Sequence, residues 1–312
     1  MTTPYFSIII TAFNRERMIR RCVDSCLAQT FNDFEVVVVD DASTDRTPEV
    51  LQSMRHPKLV VVRHAVNKGI CPARDTCVKT AKGRWIVMID SDHALLPHTL
   101  ESLYPKTQKA AADVGVIGAR YRWDDGSVTP RFVPDDAIDY EGRIRWVEEE
   151  GGTDYLSCTR REVYETVHWP SDRRGPLDTL FQLDLAKQWK VKIHEDILAL
   201  EFSDAPNSQT RSLGLTRVRI MLQNAADMAW HYEEILDRHG EALEQWGAKS
   251  LDNIIRAAAL NHFLSGDRKA GLKRVAQYLF NHPASAPAWG ILVFGMMGPR
   301  AAAYANALKN RI

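Results

Sequence analysis

Aspartates occur in two tight groups, each directly after an apolar segment. Asp40 and Asp41 follow a run of four valines. Asp90 and Asp92 follow the apolar segment that begins at Trp85. If both segments are parallel strands, their carboxyl ends meet at one edge of the sheet, where repulsion raises the carboxylate pKa values unless a cation offsets it. Because Mg²⁺ and Mn²⁺ bind carboxylates and keep positions for phosphate oxygens, the pattern predicts a divalent metal site there.

The elements that would position these aspartates alternate between strand and helix. Apolar segments rich in β-branched residues predict strands at 6–10, 36–39, 59–62, 85–89 and 114–119. Between them, we expect Asn14 to cap a first helix, Pro72 to begin a later helix and Gly83 to end that helix as a C-cap. The alternation implies βαβ units with right-handed crossovers. The predicted fold class is therefore α/β with a mostly parallel central sheet.

The pattern changes twice further along the chain. From 120 to 212, Gly, Pro, Asp and Trp are scattered among short apolar runs, as in a segment that builds a binding face. From 213 to 312, helical spacing dominates, with two amphipathic helices expected at 251–264 and 269–280 and an irregular apolar cap around Pro287 and Trp289. We expect one domain at 1–212, with halves 1–119 and 120–212, and a helical C-terminal region at 213–312.

Charge and composition disfavour several kinds of binding partner and several cellular locations. Because 40 Lys and Arg balance 40 Asp and Glu, no net field attracts nucleic acid. Five cysteines without a C-x-x-C pair predict buried apolar side chains in a reducing cytosol. The apolar N-terminal run breaks at Asn14, which favours a strand over a signal peptide, and AWGILVFGMMG is too short to cross a bilayer. The expected location is cytoplasmic, with peripheral contact of the C-terminal helices at the inner face of the membrane left open.

Two common phosphate-binding loops are missing from the sequence. The first strand continues into TAFNRER, with no G-x-G-x-x-G, and no G-x-x-x-x-G-K-[ST] occurs, which disfavours a nicotinamide enzyme and a P-loop NTPase. The segment VVVDDAS is similar to the paired acids of phospho-accepting receiver domains, although those acids follow a first strand and these follow a second. A receiver-like signalling domain and another metal-dependent nucleotidyltransferase are the alternatives.

The order and spacing of several motifs resemble one enzyme family. The stretches SIIITAFNRERMIRRCVDSCLAQTFNDFEVVVVDDASTD and NKGICPARDTCVKTAKGRWIVMIDSD are similar to the family 2 glycosyltransferases, which have the GT-A fold. The resemblance spans about 5–200. It implies that a nucleotide-diphosphate sugar lies across the strand ends and that Mn²⁺ or Mg²⁺ bridges its diphosphate to a D-x-D motif. It further implies that an aspartate deprotonates the acceptor for inverting, single-displacement transfer.

The resemblance assigns the nucleotide to the first two strand ends. Thr11 and Phe13 would flank the base, and Asp41 would accept a hydrogen bond from its edge. Asp40 is given a structural role, because neighbouring strand residues face opposite ways. Arg74 would approach the phosphates or sugar of the donor; the alternative is a surface ion pair. The donor is expected to be a nucleotide sugar, with UDP-sugars mildly preferred.

The D-x-D motif would hold the metal. Asp92 is the expected metal ligand, Asp90 would contact the ribose or a metal-bound water, and Ser91 between them belongs to the nucleotide-sugar site. His93 stands where many relatives have another Asp. We expect it to be an exposed loop histidine, with a supporting role at the metal as the alternative.

The catalytic base is expected in the later half of the resemblance. Asp178, in GPLDTLFQ, stands at the family's position for the base, with Leu177 in place of the usual Glu; the alternative is that Asp178 only caps a helix. Asp172, Asp184 and Asp196 are the other base candidates. The acceptor would be a hydroxyl of a saccharide or glycolipid.

Three tryptophans fall in the mixed segment, and an indole can pack on the apolar face of a sugar. For Trp123, Trp146 and Trp169, packing in the core is the preferred interpretation.

Overall fold

The computed structural model describes residues 3–150, 154–202, 204 and 214–309. Nine strands occur in these ranges: β1 (Phe6–Ala12), β2 (Phe34–Asp40), β3 (Leu59–Arg63), β4 (Trp85–Met88), β5 (His93–Leu95), β6 (Val114–Trp123), β7 (Val128–Thr129), β8 (Leu156–Arg160) and β9 (Lys190–Glu201). The helices of the same ranges are α1 (Ile19–Leu27), α2 (Thr47–Ser53), α3 (Ile70–Thr80), α4 (Thr99–Lys109), α5 (Tyr140–Glu150), α6 (Val163–Thr166), α7 (Asp178–Ala186), α8 (Gly214–Trp246), α9 (Ala248–Ser265), α10 (Arg268–Asn281), α11 (Ala286–Met297) and α12 (Pro299–Lys309).

The chain divides into two compact units. The first comprises Met1–Arg174 with Phe181–Ala205, and the second comprises Gly175–Leu180 with Pro206–Ile312. The predicted domain boundary between 212 and 213 lies outside the described residues. The first unit contains the sheet, and the second contains helices α8 to α12.

The strands of the first unit follow the order β3-β2-β1-β4-β8-β6-β9-β5, with β7 paired to β6. Strands β3, β2, β1 and β4 are mutually parallel, as the alternation of strands and helices predicted. Beyond them β8 runs antiparallel to both β4 and β6, and β9 runs parallel to β6. The predicted α/β class is confirmed, and its parallel part is the half that carries both aspartate groups.

The centre of this sheet is buried on both faces. In β1, Ile8, Ile9 and Ile10 are all almost fully buried, and all four consecutive valines of β2 are fully buried. Because successive strand side chains point to opposite faces, this pattern requires packed layers on both sides of the sheet. Each such aliphatic side chain contributes roughly 1.5–3 kcal/mol when it is buried. The strand ends therefore project from a rigid core, to which all five cysteines contribute as buried free thiols.

One pairing between strands that are far apart in the sequence adds β5, which follows the D-x-D motif, to the end of the sheet. The short strand β5 lies antiparallel to the carboxyl end of β9, with His93 opposite Glu201 and Leu95 opposite Ala199. The side chain of Gln29 supports this corner, because its amide nitrogen donates to the Leu96 carbonyl at 2.9 Å. The register places a carboxylate from the end of β9 next to the residue that follows Asp92.

Asn14 does not cap the first helix. Helix α1 begins at Ile19, and Asn14 lies earlier in the loop with a φ of 55°, a left-handed conformation that asparagine adopts more readily than most residues. Its Oδ1 accepts a hydrogen bond from the backbone N–H of Thr44 at 2.8 Å. The prediction was wrong because this side chain joins the loop after β1 to the loop after β2.

Gly83 does not end a helix either. Helix α3 ends at Thr80, and Gly83 packs against β1, where its N–H donates to Ser7 Oγ at 2.7 Å. A Cβ added to Gly83 would lie 2.6 Å from the carbonyl carbon of Phe6. Glycine is required here for close packing of two backbone segments rather than for a helix C-cap.

The second unit is described from α8 onward as consecutive helices. The helices expected at 251–264 and 269–280 are confirmed as α9 and α10, and Gly266, with a φ of 91°, ends α9. The irregular apolar cap was a wrong prediction, since this segment forms helix α11. Pro287 lies in its first turn, where a missing N–H loses no helical partner, and Ser285 caps the helix. None of the described helices is both long and apolar enough to cross a membrane.

We predict that Gly83→Ala lowers the free energy of unfolding by about 1–3 kcal/mol, because its methyl group meets backbone atoms that cannot rotate away. Gly240→Ala in α8 is the matched control. No atom lies within 4 Å of the Cβ it would add, so it should raise stability by up to about 1 kcal/mol. Calorimetric unfolding of both variants tests this expectation, and an unchanged transition in Gly83→Ala would contradict it.

Candidate active site

The register of the parallel strands brings the first two loops together. Thr11 is paired with Val39 and Ala12 with Asp40, so the chain leaves β1 and β2 at the same level. Further hydrogen bonds join the two loops; among them, Asn14 N–H donates to Ser43 Oγ at 2.9 Å and Arg15 N–H to Thr47 Oγ1 at 2.8 Å. Between these fixed points Phe13 is 41% exposed. Its ring is free to stack on a planar ligand.

Asp41 is buried at this edge and accepts hydrogen bonds with both carboxylate oxygens. Oδ1 lies 2.7 Å from His64 Nδ1 and accepts from the Lys68 N–H at 2.8 Å, while Oδ2 accepts from the Gly69 N–H at 2.7 Å. His64 Nε2 in turn lies 2.9 Å from the hydroxyl oxygen of Thr76. These partners hold the carboxylate in one orientation beside the loop that opens α3.

Asp40, in contrast, faces the protein interior. Its Oδ1 accepts from the Ser43 N–H at 3.0 Å, and its Oδ2 lies 3.5 Å from the Arg63 guanidinium. The Arg63 side chain also donates to the Ser43 carbonyl at 3.0 Å. Asp40 thus stabilises the turn after β2, where Ala42 has a φ of 57°.

The start of α3 is held by a close backbone contact. Gly69 has a φ of 99°, and a Cβ added there would lie 2.5 Å from the carbonyl oxygen of Arg174. The Ile70 N–H donates to the same carbonyl at 3.0 Å. The Arg174 guanidinium donates to the Asn67 carbonyl at 2.9 Å, so the segment around Arg174 determines the position of this loop.

Arg74 is buried and points toward the D-x-D motif. Its guanidinium nitrogen lies 3.7 Å from Asp90 Oδ1, and its central carbon lies 4.8 Å from the ring centre of Trp169. Trp169 stacks on Phe181 with 4.0 Å between ring centres. In the ion pair with Asp90, the Arg74 side chain is buried and the Asp90 carboxylate is half-exposed, so the pair differs from the fully exposed surface pair given as the alternative. Trp169 and Trp146 are both buried, so their predicted core packing is confirmed, and Trp123 is half-buried with its indole N–H donating to Thr129 Oγ1.

The D-x-D turn gathers three groups that can hold a metal ion. One ligand atom each from Asp90, Asp92 and His93 lie within 4.8 Å of one another. The Asp90 carboxylate is half-exposed, the Asp92 carboxylate is mostly buried, and Ser91 between them is buried. The His93 N–H donates to the Asp90 carbonyl at 3.0 Å, which keeps the turn tight.

His93 is buried and is not the exposed loop histidine that we expected. As the first residue of β5, it lies with Nε2 3.7 Å from Asp92 Oδ1 and 3.5 Å from Glu201 Oε1. Burial opposes its protonation, but the interaction with Glu201 and the charges of Asp90 and Asp92 raise the pKa of His93 to about 9. The expectation was wrong because the pairing of β5 with β9 covers this residue.

Glu201 is the functional candidate that the sequence analysis missed. No local motif marks it, since it ends a strand about a hundred residues after the D-x-D motif. Its Oε2 and the Nδ1 of His93 are buried without a hydrogen-bond partner. Because buried polar atoms in proteins nearly always have partners, these two atoms mark the region around His93 and Glu201 as one that merits a functional explanation.

The base candidates are divided between the chain's two units. Asp178 is the first residue of α7 and belongs to the second unit. In the first unit, Asp196 lies 3.3 Å from Lys106 Nζ and is held at helix α4, and Asp172 lies on the surface next to Arg173. Asp184 lies on α7, in the part of that helix that belongs to the first unit. The role of Asp178 as the base stays a prediction.

Comparison with known proteins identifies the family. The family model described as glycosyl transferase family 2 matches residues 7–167, which include both aspartate groups, Arg74 and His93. The chain belongs to glycosyl transferase family 2. This assignment agrees with the sheet, since receiver-like folds have the strand order 2-1-3-4-5 and the order here begins β3-β2-β1-β4.

Bacterial relatives match over half to two thirds of the chain. The chain is 29% identical over 183 residues to "Glycosyltransferase GlyG" of Streptococcus pneumoniae, covering 54% of this chain and 60% of the relative. It is 32% identical over 219 residues to EpsJ of Bacillus subtilis, an uncharacterized glycosyltransferase, covering 66% of this chain and 63% of the relative. The chain thus spans about three fifths of the length of these relatives.

Solved structures share the fold at low sequence identity. TarS of S. aureus, solved in complex with UDP-GlcNAc, matches with a TM-score of 0.60 and 18% identity, covering 90% of this chain and 93% of that one. The mannosyltransferase PcManGT of Pyrobaculum calidifontis, solved with GDP-Man and Mn²⁺, matches with a TM-score of 0.57 and 20% identity, covering 100% of this chain and 88% of that one. The GT-A-like α/β architecture is therefore shared.

The raised pKa of His93 predicts a pH dependence of stability in metal-free protein. Because the imidazolium is favoured in the folded state, its contribution is complete below the ordinary value of 6.5 and is lost as the pH rises through about 9. The full effect is about 3 kcal/mol. Glu201→Gln removes one neighbouring charge, lowers the pKa of His93 and should flatten this slope.

Urea unfolding in EDTA between pH 6.5 and 9 measures the effect, with a histidine NMR titration to assign it. His56→Gln, which replaces an exposed loop histidine, is the control and should keep the slope of the unmodified protein. Identical slopes for Glu201→Gln and the unmodified protein would contradict the interpretation.

Proposed function

We propose that the protein transfers a sugar from a nucleotide-diphosphate sugar to a hydroxyl group of a saccharide or glycolipid, with inversion at the anomeric carbon. The observation that carries the proposal is the group formed by Asp90, Asp92 and His93 at the carboxyl edge of a sheet in a chain of this family. Ligands of open α/β sheets bind at that edge.

The nucleotide would lie over the first two strand ends. Phe13 offers an exposed ring for stacking, and Thr11 lies half-buried beside it. The Asp41 carboxylate, held by His64 and two backbone N–H groups, would accept a hydrogen bond from the base edge. Carboxylate oxygens offer about four lone-pair positions, so three internal partners leave one for the base. A UDP-sugar is the preferred donor, in line with the UDP-GlcNAc bound by TarS.

Mn²⁺ or Mg²⁺ would be held by Asp92, with Asp90 and Ser91 at the ribose and diphosphate. When bound, such an ion acts as a Lewis acid that stabilises the negative charge developing on the leaving diphosphate. The Arg74 guanidinium lies 3.7 Å from Asp90 Oδ1, and His93 Nε2 lies 3.7 Å from Asp92 Oδ1. Arg74 would contact the donor phosphates or sugar, and His93 would support Asp92.

Asp178 would remove the proton of the attacking hydroxyl. Asp178 is the first residue of α7, and a carboxylate is the type of group that can accept the proton of an attacking hydroxyl. The leaving diphosphate would depart on the face of the sugar opposite the attacking hydroxyl, which is what single displacement with inversion requires.

We predict that Asp92→Asn abolishes the part of UDP binding that depends on Mn²⁺. Isothermal titration should give tighter UDP binding with Mn²⁺ than with EDTA in the unmodified protein, and equal, weak binding in the variant, because the neutral amide is a poor ligand for the ion. Asp196→Asn, at helix α4, is the control and should retain the Mn²⁺ effect. Unchanged Mn²⁺-dependent binding by Asp92→Asn would remove the main support for the proposal.

Asp178→Asn is expected to retain UDP and Mn²⁺ binding while kcat falls by about 10²–10⁴, because the amide cannot accept the acceptor's proton. Single-turnover transfer from a donor identified by a thermal-shift panel of nucleotide sugars is the measurement. Asp184→Asn, two turns later on the same helix, should keep kcat within a few-fold. Normal turnover in Asp178→Asn would transfer the base role to another carboxylate.

A nucleotidyltransferase, which is the alternative enzyme, would form a different product. It requires release of pyrophosphate from a nucleoside triphosphate, which a coupled pyrophosphate assay detects. We favour sugar transfer because this chain belongs to a glycosyltransferase family, and the matched residues include the aspartates and Arg74. The strand order agrees with that assignment.

A further inference from the structure

The end of the chain has a charge asymmetry that the neutral total conceals. From Arg268 to the C-terminus the sequence contains seven Lys and Arg and no Asp or Glu. Arg268, Lys269, Lys273 and Arg300 are exposed. Acidic groups that contact this region are engaged: Asp267 caps α10 by accepting from the Ala270 N–H, Glu233 pairs with Arg274 and His262, and Asp252 lies 3.0 Å from His282 Nε2. This region therefore presents unbalanced positive charge.

Helix α11 exposes an apolar face beside that charge. Trp289, Val293, Met296 and Met297 recur at helical spacing and are 46–68% exposed. The opposite face is packed, since Ala288 and Gly295 are buried and a Cβ on Gly295 would lie 2.5 Å from the ring of Phe263 in α9. With no charged residue in the helix, its outer face is as apolar as its inner face. A water-facing helix surface is normally polar, so this face is suited to an apolar environment.

Helix α10 adds an apolar row edged by lysines. Leu272, Ala276 and Phe280 are spaced four residues apart and are all exposed, and Phe280 is 88% exposed. Lys269 and Lys273 lie at the same spacing on the neighbouring stripe of the helix. The pattern is that of a helix that lies in a membrane interface, with aromatic side chains next to cationic ones.

The turn between the two helices fixes the orientation of the tryptophan. The Trp289 indole N–H donates to the Pro283 carbonyl at 2.8 Å, and the ring remains half-exposed. Pro283 lies three residues after Phe280, so both aromatic rings belong to the same end of the α10–α11 hairpin. An indole with its N–H satisfied and its ring exposed has an apolar surface that can enter a lipid layer without leaving an unpaired donor.

We propose that the α10–α11 surface, defined by Leu272, Phe280, Trp289, Val293, Met296 and Met297 with Lys269 and Lys273, binds to an anionic phospholipid surface. The basic residues attract the headgroups, and the apolar side chains enter the boundary between headgroups and acyl chains. The 12 residues of α11 are too few to cross a bilayer, so the contact is peripheral. A second copy of this chain fits less well, because the same surface on both partners would bring like charges together.

The proposal does not rest on the proposed function, since it concerns lipid binding and not catalysis. Its consequence does depend on that function: an enzyme bound to the membrane surface would encounter a glycolipid acceptor by diffusion along that surface.

Vesicle sedimentation of the full chain tests the proposal. Pure phosphatidylcholine vesicles are compared with vesicles containing phosphatidylglycerol, at low and high salt. We expect binding to the anionic vesicles, weakened by salt, and little binding to the neutral ones. Binding equal on both vesicle types would contradict the role of the basic residues, and no binding to either would overturn the proposal.

Variants assign the binding to this surface. Phe280→Asp with Met297→Asp should weaken partition at least about tenfold, because the apolar contact is lost. Lys269→Glu with Lys273→Glu should weaken partition by about fivefold or more for each charge. Val61→Asp on exposed β3 and Lys109→Glu on α4 are the matched controls and should bind as the unmodified protein does.

Circular dichroism and Mn²⁺-dependent UDP binding verify that each variant is folded. Light scattering measures the mass in solution. A concentration-dependent dimer that Phe280→Asp abolishes would overturn the proposal, because a second copy would then cover the surface. Equal loss of lipid binding in the control variants would overturn it as well.

Discussion

The site depends on electrostatic compensation of carboxylates collected at one edge of a sheet. The carboxylates of Asp90 and Asp92 repel each other at short range in a partly buried turn, and positive charge close by offsets that repulsion. The protein supplies it from two directions: the buried guanidinium of Arg74 on α3 and the imidazole of His93, whose pKa is raised to about 9. Under the proposed function, a divalent cation would add positive charge to this balance together with the bound diphosphate.

The fold produces this arrangement through register. Parallel pairing of β1 with β2 and β4 brings three loops to one edge. Asn14 ties the loop after β1 to the loop after β2, and Asp41 ties the loop after β2 to the segment that opens α3. Antiparallel pairing of β5 with β9 then covers the remaining side and places Glu201 behind His93. Substitutions that shift any of these strands are therefore expected to affect metal binding without touching a ligand.

Local patterns were sufficient to predict much of the architecture. The strands β1, β2 and β4 are short apolar runs buried on both faces, and the two aspartate groups directly follow β2 and the segment that contains β4, so the α/β class and the acidic edge could be inferred from neighbouring residues. Burial of His93 and the contribution of Glu201 could not, because they depend on the pairing of two strands about a hundred residues apart. Asn14 and Gly83 were misassigned for the same reason, since each acts across to another segment: a loop in one case and β1 in the other.

The central claim is that this acidic edge holds a divalent ion against a diphosphate. Its most direct test is the anomalous diffraction of Mn²⁺ in crystals grown with UDP. We predict one strong anomalous peak at coordination distance from the Asp92 carboxylate and the diphosphate oxygens, with His93 next to Asp92. UDP bound at the strand ends with no peak near Asp92, or a peak on another surface, would contradict it.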